Sequence, residues 1–385
     1  MAGNPPKVWA ILCYREGDNS QILALAEALG WPFEVKRLAY RKWGYLSDVQ
    51  RGTTLAGIDV AASSPLAPPW PDLVISAAMR NEPVCRWIQR QAGKPVRYVH
   101  IGRPWARLKN FDLVVTMPEF RLPVRPNVLN NGLSLTRITE ADLAEAAALW
   151  APRFAHLPRP YVAVLVGGYG GPYALGLDAA RRLARVANAV ARQEGGSLLV
   201  TTSHRTRPAA AEALAAAIDV PAHLHRWQRQ AADNPYRGYL ALADSFIVTC
   251  DSASMLTEAC ATRKPVHMFD LGPGGRRVGS VPDAPDSGAR SLRCQVDGAK
   301  AFIYRQLIPL PPRRMTRDIR LVHKYLLESG RVVPVGQPFP DRRPPPLDDL
   351  RQAVARVRGL FGLGRSDEGV VETLDESVVA ASAWR

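Results

Sequence analysis

A chain of 385 residues exceeds one ordinary core and suits two domains of the commonest size. With 47% hydrophobic and 22% charged residues, burial rather than disulfide stapling holds the fold; five scattered cysteines without a C-x-x-C pair argue against a zinc site and against a secreted disulfide framework, and fit a reducing cytoplasm. The net charge of +15 asks for an acidic counterpart (nucleotide phosphates, an anionic membrane surface or nucleic acid), although an Arg- and Ala-rich source genome would supply much of it without any partner.

Behind Lys7, the apolar run Val8 to Tyr14 is too short for a signal segment or a membrane span and reads as a first buried strand. Nowhere do about 18 uninterrupted apolar residues occur. Further strands are predicted at Glu34 to Leu38, Leu73 to Ala77, Val96 to Ile101 and Leu113 to Thr116, with helices at Ser20 to Leu29 and Pro83 to Ala92. The segment Asn127 to Pro160, with its acidic-alanine helix Glu140 to Trp150, reads as a connector. A second set of strands follows at Tyr161 to Val166, Ser197 to Thr202, Ala222 to His225, Ser245 to Thr249 and Val266 to Phe269. Helices at Leu177 to Gln193, Pro208 to Ala217, Tyr236 to Ala243 and Ser254 to Ala261 alternate with them. Alternation of this kind is the signature of stacked β-α units, and in such sheets ligands sit at the carboxyl ends of the strands. The expected division is an N-terminal Rossmann-like domain over 1–135, a connector over 136–160 and a nucleotide-binding Rossmann-like domain over 161–330. A proline-rich linker, a last helix at Leu347 to Leu360 and an acidic tail at Ser366 to Glu376 make up 331–385.

The strongest chemical signal runs from Val248 to Ala259, a strand passing through Asp251, Ser252 and Ser254 into a helix that carries Met255 and Glu258. A helix start offers unpaired amides and partial positive charge, and the serines add hydroxyls, so a pyrophosphate is well received there, with Glu258 placed to accept from ribose hydroxyls. The plainer alternative is that Asp251 or Ser252 caps the helix and Glu258 is a surface acid. Gly167 and Gly168 end the preceding strand in a glycine loop that lacks both the dinucleotide fingerprint and the P-loop lysine. Ser203, Arg205 and Thr206 close the next strand, where Arg205 would neutralise a leaving diphosphate or simply be an exposed loop charge.

In the first half, Arg15 to Gln21 is a polar loop facing the presumed cleft, and Asp18 is a candidate general base as well as a candidate helix cap. Two basic-aromatic stretches, Lys36 to Tyr45 and Arg103 to Lys109, suit an anionic membrane surface or are snorkelling cations over core aromatics.

Together these segments resemble the mitochondrial fission (elongated mitochondria) family, over roughly Val8 to Leu271. The most specific block joins Asn234-Pro235-Tyr236 to Asp251-Ser252-Ala253-Ser254-Met255 and Glu258, ending at Lys264-Pro265-Val266. That family looks like a relative of glycosyltransferase-B enzymes. The resemblance implies that Ser252, Ser254 and Glu258 hold a donor nucleotide and that the loop bearing Gly17, Asn19 and Gln21 borders the acceptor. The chain departs from the family pattern at Pro118-Glu119-Phe120-Arg121, where a His-Asp pair is usual after Pro-Glu, which leaves Asp18 or Glu119 as the base. The opening loop departs too, since a serine separates its family-like Asn and Gln.

The expectation is an α/β protein with two Rossmann-like parallel-sheet domains facing a cleft, the glycosyltransferase-B architecture. Its function would be transfer of a sugar from a nucleotide-diphosphate donor to a lipid-linked or envelope glycan, without metal because no Asp-x-Asp occurs, and without a cofactor. It would be cytoplasmic, or peripheral on the inner face of a membrane. A non-catalytic membrane adaptor is the alternative. An epimerase is disfavoured by the missing dinucleotide fingerprint, and nucleic-acid binding by the absence of a reading module.

Overall fold

The computed structural model describes residues 4–41, 52–229, 233–272, 292–310, 312–313, 316–341 and 344–363. The first half of the chain forms β1 (Val8–Leu12), β2 (Phe33–Arg37), the short pair β3 (Ala39–Tyr40) and β4 (Ile58–Asp59), then β5 (Leu73–Ala77), β6 (Arg97–Ile101), β7 (Leu113–Thr116) and β8 (Val128–Asn130). Six of these make an all-parallel sheet in the order β2-β1-β5-β6-β7-β8. Its central strands β1, β5 and β7 are buried throughout because both faces are covered. Val8, Ala10 and Leu12 of β1 pack with the helix Glu16–Ala28, whereas Trp9 and Ile11 point the other way, towards the helix Glu82–Gln91. Edge strand β2 alternates instead, leaving Phe33 and Val35 exposed.

The second half forms β9 (Tyr161–Leu165), the small hairpin β10 (Tyr169–Gly170) and β11 (Tyr173–Ala174), then β12 (Ser197–Thr201), β13 (Ala222–His225), β14 (Ser245–Thr249), β15 (Val266–Phe269) and β16 (Val333–Pro334). A second parallel sheet runs β13-β12-β9-β14-β15-β16. Its order reverses between β9 and β14, and in such sheets the carboxyl ends of the strands at the reversal are where ligands sit. Two doubly wound parallel sheets are thus present, as expected of the glycosyltransferase-B architecture.

Five strands fall at their predicted bounds, among them β5, β13 and β14. The first helix begins at Glu16, a turn before Ser20, because the polar loop itself enters the helix. β8 lies in what reads as connector, and its three residues are too few to show a period. Beyond residue 270, where the pattern loosens, the helices Leu292–Leu307 and Arg320–Glu328 and strand β16 appear; β16 lies in the segment read as linker. The last helix, Asp349–Gly359, returns to the first sheet, where Ala353 and Val357 are fully buried beside β1. The acidic tail and residues 273–291 lie outside the described residues. No helix among the described residues is long and apolar enough to cross a membrane.

The connector helix, Glu140–Phe154, starts with a reciprocal capping box between Thr139 and Asp142 and runs one turn past its predicted end. That extra turn buries Phe154, whose ring lies 5.8 Å from Trp150, 5.6 Å from Tyr239 and 4.9 Å from His223. Gly238 makes the approach possible, since a Cβ there would meet Trp150 Cγ at 2.4 Å. Truncating Phe154 to Ala should therefore lower unfolding free energy by about 3–5 kcal/mol, measured by urea denaturation; a loss below about 1 kcal/mol would show that this packing is expendable.

Candidate functional site

The loop after β9 and the loop after β14 meet at the reversal of the second sheet. Asp251 lies between them with no exposed surface. Its Oδ2 accepts the Gly168 N–H at 2.9 Å and faces Arg205 Nη2 at 3.1 Å, and its Oδ1 accepts the Thr249 hydroxyl at 2.8 Å. Thr249 Oγ1 in turn accepts the Gly167 N–H. Close packing explains the glycines: a Cβ at Gly167 would meet Asp251 Oδ1 at 2.2 Å, and one at Gly168 would meet the Arg205 carbonyl oxygen at 2.0 Å. Ser203 Oγ donates to the Gly167 carbonyl at 3.1 Å, and Thr206 Oγ1 donates to the same oxygen. The structure thus brings Gly167, Gly168, Ser203, Arg205, Thr206 and Asp251 into one cluster. Asp251 is the hub that orients Arg205, a role that strand-and-helix patterning does not reveal.

The helix Ala253–Ala261 starts directly after this hub. Ser252 occupies its cap position in extended conformation, yet makes no side-chain capping bond, so the capping alternative fails for this residue. Ser254 and Met255 are half-buried in the first turn. Glu258, one turn on, is no surface acid: it accepts the hydroxyl proton of Tyr236, and burial raises its carboxyl above the ordinary range.

The opposite wall is the start of the helix Glu16–Ala28. A Cβ on Gly17 would lie 3.8 Å from Ser254 Oγ, an ordinary van der Waals contact, so the first turns of the helices Glu16–Ala28 and Ala253–Ala261 meet here. Asp18 sits in the first turn and not at the cap, which is Arg15. Burial pushes its carboxyl up; Arg15, at 3.7 Å, and Arg317 pull it back, and the neutral Cys13 thiol points at Oδ2 from 3.9 Å. The remaining loop residues are engaged elsewhere. Asn19 takes the Cys13 N–H at 2.7 Å and donates to the Cys13 carbonyl, while Gln21 Oε1 accepts the Leu135 N–H at 3.1 Å.

Glu119, beyond β7, is wholly buried. Its Oε2 faces Arg317 Nε at 2.7 Å, and its Oε1 meets no donor among the described residues. Around this pair lie residues that sequence reasoning missed. Burial alone would lower the Arg317 pKa, but the charges of Glu119 and Asp18 outweigh it and keep the guanidinium protonated. Tyr304 Oη accepts the Arg317 N–H at 2.6 Å, and Arg103 lies within electrostatic reach of Tyr304, Arg15, Arg317 and Glu119. Nothing in the local pattern marks Arg317, which stands 198 residues from its partner. Of the two basic-aromatic stretches, Lys36 is a snorkelling cation, 4.4 Å above the core ring of Trp9 and paired with Glu34; Trp43 and Tyr45 lie outside the described residues.

Two parallel α/β sheets, with a crevice of helix starts, hydroxyls and anchored arginines at their carboxyl ends, define a protein of the glycosyltransferase-B architecture. The family model described as Mitochondrial fission ELM1 matches residues 16–284, and the chain belongs to that family. It is 31% identical over 221 residues to the mitochondrial fission protein ELM1 of Arabidopsis thaliana, covering 51% of each sequence, so it spans about half the length of that curated relative. Among solved structures, it is similar to S. aureus MnaA with UDP (TM-score 0.45, 11% identity, 94% of this chain and 100% of that one). It is also similar to ADP-heptose LPS heptosyltransferase II of E. coli (TM-score 0.41, 13%, 84% and 99%) and to UDP-GlcNAc 2-epimerase of Methanocaldococcus jannaschii (TM-score 0.47, 11%, 92% and 99%).

If Asp251 is the hub, Asp251→Asn should destabilise the protein by about 3 kcal/mol, because it strips the partner from a largely buried guanidinium. Thermal and urea unfolding check this. A loss no larger than that of an exposed ion pair, under about 1 kcal/mol, would remove the hub role.

Proposed function

We propose that this protein transfers a sugar from a nucleotide-diphosphate donor to a hydroxyl of a lipid-linked or envelope glycan. The observation that carries the reading is the start of the helix Ala253–Ala261, which follows directly on the Arg205-paired Asp251 and whose cap residue Ser252 makes no side-chain capping bond. That start offers unpaired amides and partial positive charge, so a diphosphate placed at it is held by a fixed dipole. Ser252, Ser254 and Met255 line the donor side, Arg205 approaches the phosphates from its Asp251 anchor, and Glu258 receives the ribose hydroxyls in exchange for the Tyr236 hydroxyl. The acceptor oxygen attacks the anomeric carbon, the bond from that carbon to the phosphate oxygen breaks, and the nucleoside diphosphate departs. Its developing charge falls on the amides, serine hydroxyls and Arg205, a scheme that needs no metal.

Asp18 takes the proton released by the acceptor. Burial raises the Asp18 carboxyl above its ordinary range, which makes its carboxylate a stronger proton acceptor, and Asp18 stays half-buried. Glu119 is the weaker candidate, since its carboxylate has no exposed surface and is bound to Arg317.

A panel of nucleoside diphosphates in a thermal-shift assay tests the donor half. A true ligand at a hundredfold excess over its dissociation constant should stabilise by about 2.7 kcal/mol. Glu258→Gln should weaken that ligand while the empty protein melts almost unchanged, because the amide still accepts from Tyr236. A flat panel defeats the reading.

Transfer assays test the other half: Asp18→Asn should abolish transfer and keep nucleotide binding, whereas Glu119→Gln should act through stability. The base must be ionised, so the wild-type rate should fall as pH drops through the raised Asp18 pKa, above the ordinary 3.8. Stability runs the opposite way. The native state holds this proton more tightly than the unfolded chain, so wild type loses stability relative to Asp18→Asn as pH rises through the same range. Nucleotide binding without transfer to any acceptor would leave a nucleotide-sensing adaptor.

A further inference from the structure

We propose that the outward face of the helix Leu292–Leu307, continued by Leu310, is a docking surface for an anionic lipid membrane. This does not rest on the transferase reading. The helix is apolar on two sides. Its inner side buries Cys294, Ala301 and Ile308 against the second domain, with Arg305 Nη1 donating to the Pro172 carbonyl at 2.6 Å. On the outer side, Val296, Ile303 and Leu307 follow one another at spacings of seven and four, which stacks them on one stripe. They are 50%, 58% and 44% exposed, and Leu310 and Phe302 beside them are 53% and 56% exposed. Large apolar side chains this exposed are unremarkable singly, but a contiguous stripe of them marks an interaction site.

Charge chooses the occupant. Arg293 and Lys300 flank the stripe, both exposed. Asp297, the one acid among the described residues of this segment, is 3% exposed on the inner side and is held by Arg207 at 2.9 Å. Among the described residues of this segment, the outer face therefore offers apolar side chains and cations with no acid, which is the pattern of a helix lying in the interface of an anionic bilayer. A second copy docked on the same face would set like charges together with nothing to neutralise them, in a chain that already carries +15. The basic-aromatic stretches read from sequence are poorer surfaces, since Lys36 is spent on Glu34 and on the Trp9 ring. The helix also borders the cleft, because Tyr304 on its inner side receives the N–H of Arg317, the partner of Glu119.

The test is co-sedimentation of the full chain with vesicles of phosphatidylcholine, alone or mixed with phosphatidylglycerol. Wild type should bind the mixed vesicles, weaken as salt rises, and bind the neutral ones poorly. The double variant Ile303→Asp, Leu307→Asp should lose binding at least about tenfold with its melting temperature unchanged, because both side chains already stand in solvent. Lys300→Ala should reduce binding to the mixed vesicles and flatten the salt dependence. Unchanged partitioning of the double variant overturns the proposal. So does a wild-type dimer that the double variant converts to monomer without any vesicle binding, which would make the face a contact between copies. Failure of wild type to bind either vesicle overturns it as well. None of these outcomes depends on nucleotide binding, so this proposal and the transferase reading fail separately.

Discussion

A single buried carboxylate, Asp251, organises the second domain's working edge. Taking a carboxylate out of water costs several kcal/mol unless charge and hydrogen bonds offset it. Here the Gly168 amide, the Thr249 hydroxyl and Arg205 supply that compensation. The arrangement dictates sequence at a distance. Gly167 and Gly168 admit no side chain, and at Gly170 a Cβ would meet Arg205 Nη1 at 2.6 Å. The glycine loop is thus not an open phosphate cradle: its amides are already used. What remains for an anion is the start of the helix Ala253–Ala261, where Ser252 leaves its cap bond unmade. Behind the hub, His323 Nε2–H donates to the Cys250 carbonyl at 2.6 Å, so the late helix Arg320–Glu328 fixes the strand end from which Asp251 projects.

The two sheets are tied by contacts that span large sequence separations. Arg317 reaches Glu119, and Arg121 donates to the carbonyls of Ile308 and Thr316 at 3.0 and 3.2 Å. Ser134 bonds Thr257 at 2.9 Å, joining the segment after β8 to the helix proposed to bind the donor. Asp349 Oδ1 accepts the Leu133 N–H at 3.1 Å, where the last helix begins its return to the first domain. Segments late in the chain therefore complete both halves. Cleft geometry depends on residues far from either sheet edge.

Legibility followed local physics. Strands buried on both faces, such as Ser245–Thr249, announce themselves as continuous apolar runs, and the loop-to-helix chemistry of Asp251 to Glu258 stands out because hydroxyls and an acid interrupt such a run. Val128–Asn130 and Val333–Pro334 stayed hidden, since two or three residues carry no period. The helix Leu292–Leu307 was hidden for a different reason: apolar residues on two sides, with cations between, blur the single-face pattern of an ordinary surface helix. Within the site, residue types were legible and their partners were not. Asn19 and Gln21 looked like cleft residues and are tied to Cys13 and Leu135 instead. Tyr236 gave no sign that its hydroxyl would engage Glu258.

The placement of charge separates the two proposed ligands. The arginines nearest the cleft floor are matched, Arg205 by Asp251 and Arg317 by Glu119, so neither pair adds net charge. Positive potential there comes from the two helix starts that meet at Gly17 and Ser254, each equivalent to roughly half an elementary charge. Such dipoles are fixed by backbone geometry, and a diphosphate held at the start of the helix Ala253–Ala261 is screened less by bulk ions than a contact on the open surface. The cations beside Val296 and Ile303, Arg293 and Lys300, are exposed to solvent, and a Debye length of about 8 Å at physiological salt screens them directly. Ionic strength should accordingly act far more on a surface contact made by the helix Leu292–Leu307 than on a ligand in the cleft, which makes salt the variable that tells one kind of binding from the other.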